Sequence, residues 1–240
     1  MSSNIISIHQ PNFLPWIGYF YKIIKSDIFV ILDDVQYTKN SFINRNKIKT
    51  PDGEQWLTIP VKHSGNFGSL IKDTEIDSPE RTFKKVQGTL TANYKKAKYF
   101  DNIFTLLETC FQDKTNLSIL NENLIKSICN YLKIGTKILK SSEILQTNLH
   151  STDKLLHICK ELGGSSYLAG FGSRKYQESQ KFEQAEIICD VYDFAHPTYP
   201  QLWRDFIPNL SVIDLLFNCG PSSYEIILNC NLKNFQNKEL

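Results

Sequence analysis

The sequence predicts an α/β protein built on an open, mostly parallel, Rossmann-like sheet, and three observations carry that expectation. Residues 5–22 read IISIHQPNFLPWIGYFYK: a β-branched apolar run, a polar turn between two prolines, then apolar residues at helical spacing. Residues 27–34, DIFVILDD, form a nearly continuous apolar run closed by two carboxylates, the pattern of a strand covered on both faces. Strand, helix and strand in that order start a right-handed βαβ unit. Further strand-like and helix-like segments then alternate between residues 136 and 194.

The first strand, with Ile5, Ile6 and Ile8, breaks at His9, Gln10 and Asn12, which lie between Pro11 and Pro15. In an open parallel sheet this carboxyl end is where ligands bind, so the polar cluster stands where chemistry is expected. The alternative is a tight connection whose polar residues satisfy backbone groups. Pro15 suits a first helical turn, and Gly18 permits a close approach. Residues 35–50 carry Lys39, Arg45, Lys47 and Lys49 among Gln36, Asn40, Asn44 and Asn46 without clear period, and read as a loop. A solvated surface is expected for Asn46 and Lys49, and a lining role for Lys39, Asn44 and Arg45, because cationic and amide groups suit phosphate or carboxylate. A turn at 51–53 and alternation over 55–62 predict a third strand, and the glycine-rich 63–69 reads as a connector.

From Asp77, Ser78, Pro79 and Glu80, a strong helix start, the chain reads as successive helices through about 134. A short strand at 136–139 follows, then a helix from Ser151 to the Gly163 and Gly164 pair, and a strand at 166–169. Gly170, Gly172 and Arg174 after that strand resemble a phosphate-binding turn, although a sharp connection uses the same glycines. A strand at 187–194 leads to a stiff loop containing His196. Ser211 caps a last helix, where Asp214 is either a core anchor or part of a site wall.

The expected organisation is one α/β domain over 1–232, with a helical insertion or cap at about 78–134 and a C-terminal tail at 233–240. Basic residues (27) and acidic residues (25) are mixed and nearly cancel, so nucleic acid is not an expected partner. No apolar run approaches the roughly 20 residues of a membrane span, and the N-terminus lacks signal-peptide features, so the expected location is the cytoplasm. Six cysteines without a CxxC pair and five histidines without HxxxH or HExxH spacing predict no disulfide and no protein-ligated metal.

The strings HQPNFLPWIGYFYK at 9–22, DDVQYTKN with NRNKI at 33–48, YLAGFGSRKY at 167–176, HPTYPQ at 196–201 and NLSVIDLLFNCG at 209–220 resemble the WbqC-like protein family. The resemblance runs from about residue 5 to 222. It implies a place in bacterial surface-polysaccharide (O-antigen, lipopolysaccharide) synthesis and a glycine or other aminoacyl transfer to an amino sugar. It points to His9, Gln10, Asn12, Asp33, Asp34, Gln36, Asn44, Arg45, His196 and Asp214. A second resemblance, of the opening segment alone, is to HxGH nucleotidyltransferases of the HUP class. Tyr19 stands here where their second histidine would be.

The expected activity is an acyl or aminoacyl transferase with a nucleotide-linked amino sugar as small-molecule substrate. In that scheme His9 is an acid–base group titrating near neutrality, oriented by Asp33 or Asp34. Gln10, Asn12, Tyr19, Gln36, Lys39, Asn44, Arg45, Gly170, Gly172, Arg174, His196 and Asp214 would contact substrate. ATP or a nucleotide sugar with Mg2+ is the cofactor chemistry considered, the paired acids holding the ion through water. The alternatives are ATP-dependent nucleotidyl transfer or ligation, and a non-catalytic ligand-binding component of the same pathway. A homodimer stays open.

Overall fold

The structure, a computed structural model, describes residues 4–62, 68–111, 115–144, 148–170, 178–230 and 232–233. In chain order its elements begin β1 (Ile5–His9), α1 (Ile17–Ile24), β2 (Ile28–Ile31), β3 (Arg45–Thr50) and β4 (Gly53–Thr58). Three longer helices follow: α2 (Pro79–Tyr94), α3 (Phe100–Phe111) and α4 (Leu117–Tyr131). Then come β5 (Lys137–Lys140), α5 (Ser141–Ile144), α6 (Ser151–Glu161), β6 (Ser166–Gly170), α7 (Ser179–Gln184) and β7 (Ile188–Phe194). The chain closes with α8 (Val212–Cys219), α9 (Ser223–Leu228) and β8 (Leu232–Lys233).

The main sheet has the order β5-β2-β1-β6-β7-β8, with the first five strands parallel and β8 antiparallel to β7. From β1 the chain builds outward through β2 and β5, then returns to the other side of β1 for β6 and β7. The order therefore reverses between β1 and β6, which makes their carboxyl ends a topological switch point.

Strand alternation sorts the core into two layers. Ile6, Ile8 and Val30 meet Leu156, Ile158, Cys159 and Phe182 from α6 and α7. Phe29 and Ile31 instead face the larger cluster built with α1, the α2–α4 helices, α8 and α9. Both faces of the sheet are thus covered, which is why β1 and β2 read as continuous apolar runs. Among the described residues no helix is long and apolar enough to cross a membrane. The six cysteines are free thiols.

Three expectations need correction. Residues 45–50 are not a loop but strand β3, paired antiparallel with β4 in a separate two-stranded sheet. Its inward positions Asn46 and Thr50 are polar, so the alternation was hidden. Lys233 is not tail: it pairs with Asp193 in β8, while 234–240 lie outside the described residues. Pro15 sits before the helix cap Trp16 rather than in the first turn, and its carbonyl accepts the Val212 N–H at 2.8 Å.

Candidate functional site at the carboxyl end of the first strand

β1 is hydrogen-bonded to β2 from Ile6 to His9, yet its ladder with β6 ends at Ile6 opposite Tyr167. The last residues of β1 are therefore paired on one side only, at the switch point of the sheet. The His9 carbonyl accepts from Leu32 N–H at 2.8 Å on the β2 side. The Ile8 carbonyl points the opposite way and accepts instead from Lys22 Nζ at 3.1 Å. Lys22 is 5% exposed and pairs with no carboxylate among the described residues. Removal from water brings its ammonium down to about 7.

His9 lies beside this cation. Its Nδ1 is 3.0 Å from the Gln10 carbonyl, an acceptor, so the proton sits on Nδ1 and Nε2 is left as the acceptor. Tyr19 packs its ring against the imidazole, centroids 4.8 Å apart, and donates its hydroxyl to the same carbonyl at 3.1 Å. Burial, and second the charge of Lys22, hold the His9 pKa well below its ordinary value. The near-neutral titration expected for His9 is thus overturned: its ring stays neutral across physiological pH. The main cause is the loss of water around the ring, and the neighbouring ammonium adds to it.

The loop from Gln10 to Trp16 is held carbonyl by carbonyl. Asn121 Nδ2 donates to Pro11 O at 2.9 Å and to Ile43 O at 2.8 Å. Asn46 Nδ2 donates to Leu14 O at 2.6 Å, and Ser211 Oγ to the same oxygen at 2.7 Å. Phe13 N–H donates to Phe42 O at 2.9 Å. These clamps keep Leu14 in the left-handed region at φ 42°, a conformation that costs a non-glycine residue energy. Gly18 serves the same packing, since a Cβ there would fall 2.3 Å from the Trp16 indole.

The two acids have other duties. Asp33 is 3% exposed and accepts from Ser142 N at 3.0 Å, Ser142 Oγ at 2.7 Å and Ser141 Oγ at 3.1 Å, which seats the start of α5 on the end of β2. Asp34 accepts from Ser141 and forms a 2.8 Å ion pair with the buried Lys154 of α6. No contact joins either acid to His9 among the described residues, so the orienting role falls to the Gln10 carbonyl. With the Lys154 ammonium occupying the cation position, the pair does not fit Mg2+. Among the described residues no group of three or more His, Cys, Asp or Glu suits a metal.

The remaining predicted residues fall into separate neighbourhoods. Asn12 is buried within the clamped loop, while Gln36 and Lys39 are exposed beyond β2. Asn44 is buried and donates to Ile59 O at 3.0 Å, pinning the base of the β3–β4 hairpin. Arg45 lies over Trp56 at 4.3 Å. His196 sets Nδ1 2.8 Å from Pro197 O among Phe194, Tyr199 and Phe206, and burial lowers its pKa. Asp214 is fully buried in α8 and accepts from Tyr94 at 2.9 Å, an anchor rather than a wall. Gly170 ends β6, and Gly172 and Arg174 lie outside the described residues.

Sequence reasoning missed Lys22, Asn46, Asn121 and Ser211 as site-forming groups. Signals existed for two: Lys22 is the lone charge in the apolar helix IGYFYKII, and Asn121 takes an apolar position four residues after Leu117. The solvated surface expected for Asn46 and Lys49 is also wrong, since each is 1% exposed.

A family model described as the WbqC-like protein family matches residues 10–226. A protein of Mycobacterium tuberculosis (strain ATCC 25618 / H37Rv), called Uncharacterized protein Rv1507c, is similar at 36% identity over 228 residues. That similarity covers 94% of this chain and 98% of that protein.

Proposed function

The chain belongs to the WbqC-like protein family, and on that footing we propose that it transfers an acyl or aminoacyl group, such as glycyl, to the amine of a nucleotide-linked amino sugar. The setting is bacterial surface-polysaccharide synthesis. The observation that carries this reading is a neutral imidazole with Nε2 free to accept, beside a desolvated ammonium, at the switch point of the sheet. His9 Nε2 accepts the amine N–H and aims the nitrogen lone pair at the acyl carbonyl. As the C–N bond forms, the carbonyl electron pair moves to oxygen, and in this reading the Lys22 ammonium lowers the energy of that charge. Collapse re-forms the carbonyl and expels the leaving group of the activated donor, and the amine proton passes by way of His9 Nε2 to that leaving group, which returns the imidazole to its neutral form.

Nucleotidyl transfer is less well supported. Tyr19, which replaces the second histidine of an HxGH site, spends its hydroxyl on the Gln10 carbonyl rather than offering it to a phosphate.

The test uses the purified protein. Thermal shift against nucleotide-linked amino sugars should show stabilisation that ATP with Mg2+ does not. Mass spectrometry with activated acyl donors should then show N-acylation by the wild type and at least about 100-fold less by His9→Ala, the scale of a lost acid–base group. Stabilisation by ATP alone, or undiminished acylation by the variant, would count against the proposal.

A further inference from the structure

Where the β3–β4 hairpin carries Arg45 and Lys47 its outer face reaches solvent, while Lys49 further along the same face is buried. Asn46, Ile48 and Leu57 are turned inward, while Arg45, Lys47 and Trp56 share the outer face because Lys47 pairs with Trp56 in register. Trp56 is 40% exposed and Phe42 is 48% exposed, and their ring centroids are 5.9 Å apart. Two large aromatic rings side by side at the surface form a half-exposed apolar patch of the kind a partner can cover.

The charges around the rings say which kind. The Arg45 guanidinium stacks on the Trp56 indole at 4.3 Å, and Lys47 Nζ lies 5.3 Å from the same ring. The nearby acid, Glu54, is tied to Lys47. Arg45 pairs with no carboxylate among the described residues, and its Nε and the Tyr37 hydroxyl are buried without a hydrogen-bond partner there. Tyr37 lies close enough to feel the Arg45 charge. A flat π surface backed by an unneutralised guanidinium is the chemistry that receives a heteroaromatic ring carrying a phosphate.

The patch is also in the right place. Phe42 O accepts the Phe13 N–H, and Ser211 N–H donates to Lys47 O, so the hairpin is fastened to the loop that follows His9. Phe13 is four positions after His9, which limits that stretch to about 14 Å. We propose that Trp56 and Phe42 form the platform on which the nucleobase of the substrate stacks, with Arg45 binding the diphosphate that leads back toward His9. This assignment rests on the nucleotide-linked substrate of the preceding section, and it names a subsite that the reading itself does not specify.

Binding of uridine, thymidine, guanosine and adenosine diphosphates to the full chain is measured by calorimetry for the wild type, Trp56→Ala, Trp56→Phe and Phe42→Ala. One or more diphosphates should bind the wild type, with affinity falling roughly ten-fold or more in Trp56→Ala and largely restored in Trp56→Phe, as loss and return of a stacking surface require. An amino-sugar 1-phosphate, which lacks the base, should bind all four proteins alike. If diphosphates bind Trp56→Ala as tightly as wild type, or if only its melting temperature falls, the platform is a hairpin brace and this inference is overturned while the transferase reading stands. If no diphosphate binds the wild type, the nucleotide-linked substrate fails together with the platform.

Discussion

His9 and Lys22 are two basic side chains that burial keeps from charging, and the Lys22 charge disfavours the imidazolium further. The imidazole loses water on burial and also faces an ammonium, while the ammonium keeps a carbonyl instead of a counter-ion. The pair is expensive to fold, which is what a binding site for an electron-rich group looks like from inside. Lys22→Met keeps the aliphatic stem and removes the charge. The His9 pKa should then rise towards its ordinary value, read from the imidazole proton shift in an NMR titration. It should rise only in part, because burial is the larger cause. An unmoved titration would show that the two groups do not interact. The same variant should also remove the stability that wild type gains as pH rises from about 7 towards 10.5, the window in which the unfolded chain holds a proton that folded Lys22 has released.

The loop between β1 and α1 has no regular structure of its own, yet its carbonyls are bonded to Asn121 of α4, Asn46 of β3 and Ser211 at the cap of α8. Elements distant in sequence thereby fix one turn, and the site is preorganised by neighbours rather than by local propensity. Removing either amide leaves buried carbonyls without a donor. Asn121→Ala and Asn46→Ala should each destabilise the protein by about 1–3 kcal/mol in urea unfolding. Both should reduce the proposed acyl transfer beyond what the stability loss explains, because the loop carries Gln10, whose carbonyl accepts from His9 Nδ1. Activity per folded molecule equal to wild type would refute that link. At the next strand end Asp34 and Lys154 play a parallel structural part, joining β2 to α6 across 120 residues.

Across the molecule, a buried polar chain connects segments that the sequence holds far apart. Tyr94 of α2 donates to Asp214 of α8 and accepts from the Lys49 N–H of β3. Lys49 Nζ in turn donates to Gln201, Trp203 O and Asp205 O, which ties down the loop after β7. Desolvation lifts the Asp214 carboxyl from 3.8 to about 6. Below 3.8 both the folded and unfolded chains hold that proton. Between 3.8 and about 6 the unfolded chain releases it first, so this group makes stability fall as pH rises through the window and level off above it. Asp214→Asn keeps an acceptor for Tyr94 and removes the titration. Its stability relative to wild type should therefore climb from pH 4 to pH 6.5 by on the order of 2–3 kcal/mol in chemical denaturation. A difference independent of pH would place the titration elsewhere.

The α/β class, the five strands of the parallel sheet in chain order, the helical stretch from Pro79 and the polar break after β1 were legible in the amino-acid sequence. Periodicity and turn residues are local, and they report burial directly. Most of β3 was not legible, because Asn46 and Thr50 face inward as hydrogen-bonding groups and imitate a loop. The tertiary structure alone decided that β1 lies between β2 and β6, that Lys22 takes the carbonyl left by the short β1–β6 ladder, and that Asp33 and Asp34 bind serines and Lys154 instead of His9. Each of these depends on which distant group arrives to satisfy a buried polar atom, and that partner is chosen by packing rather than by the neighbours in the chain.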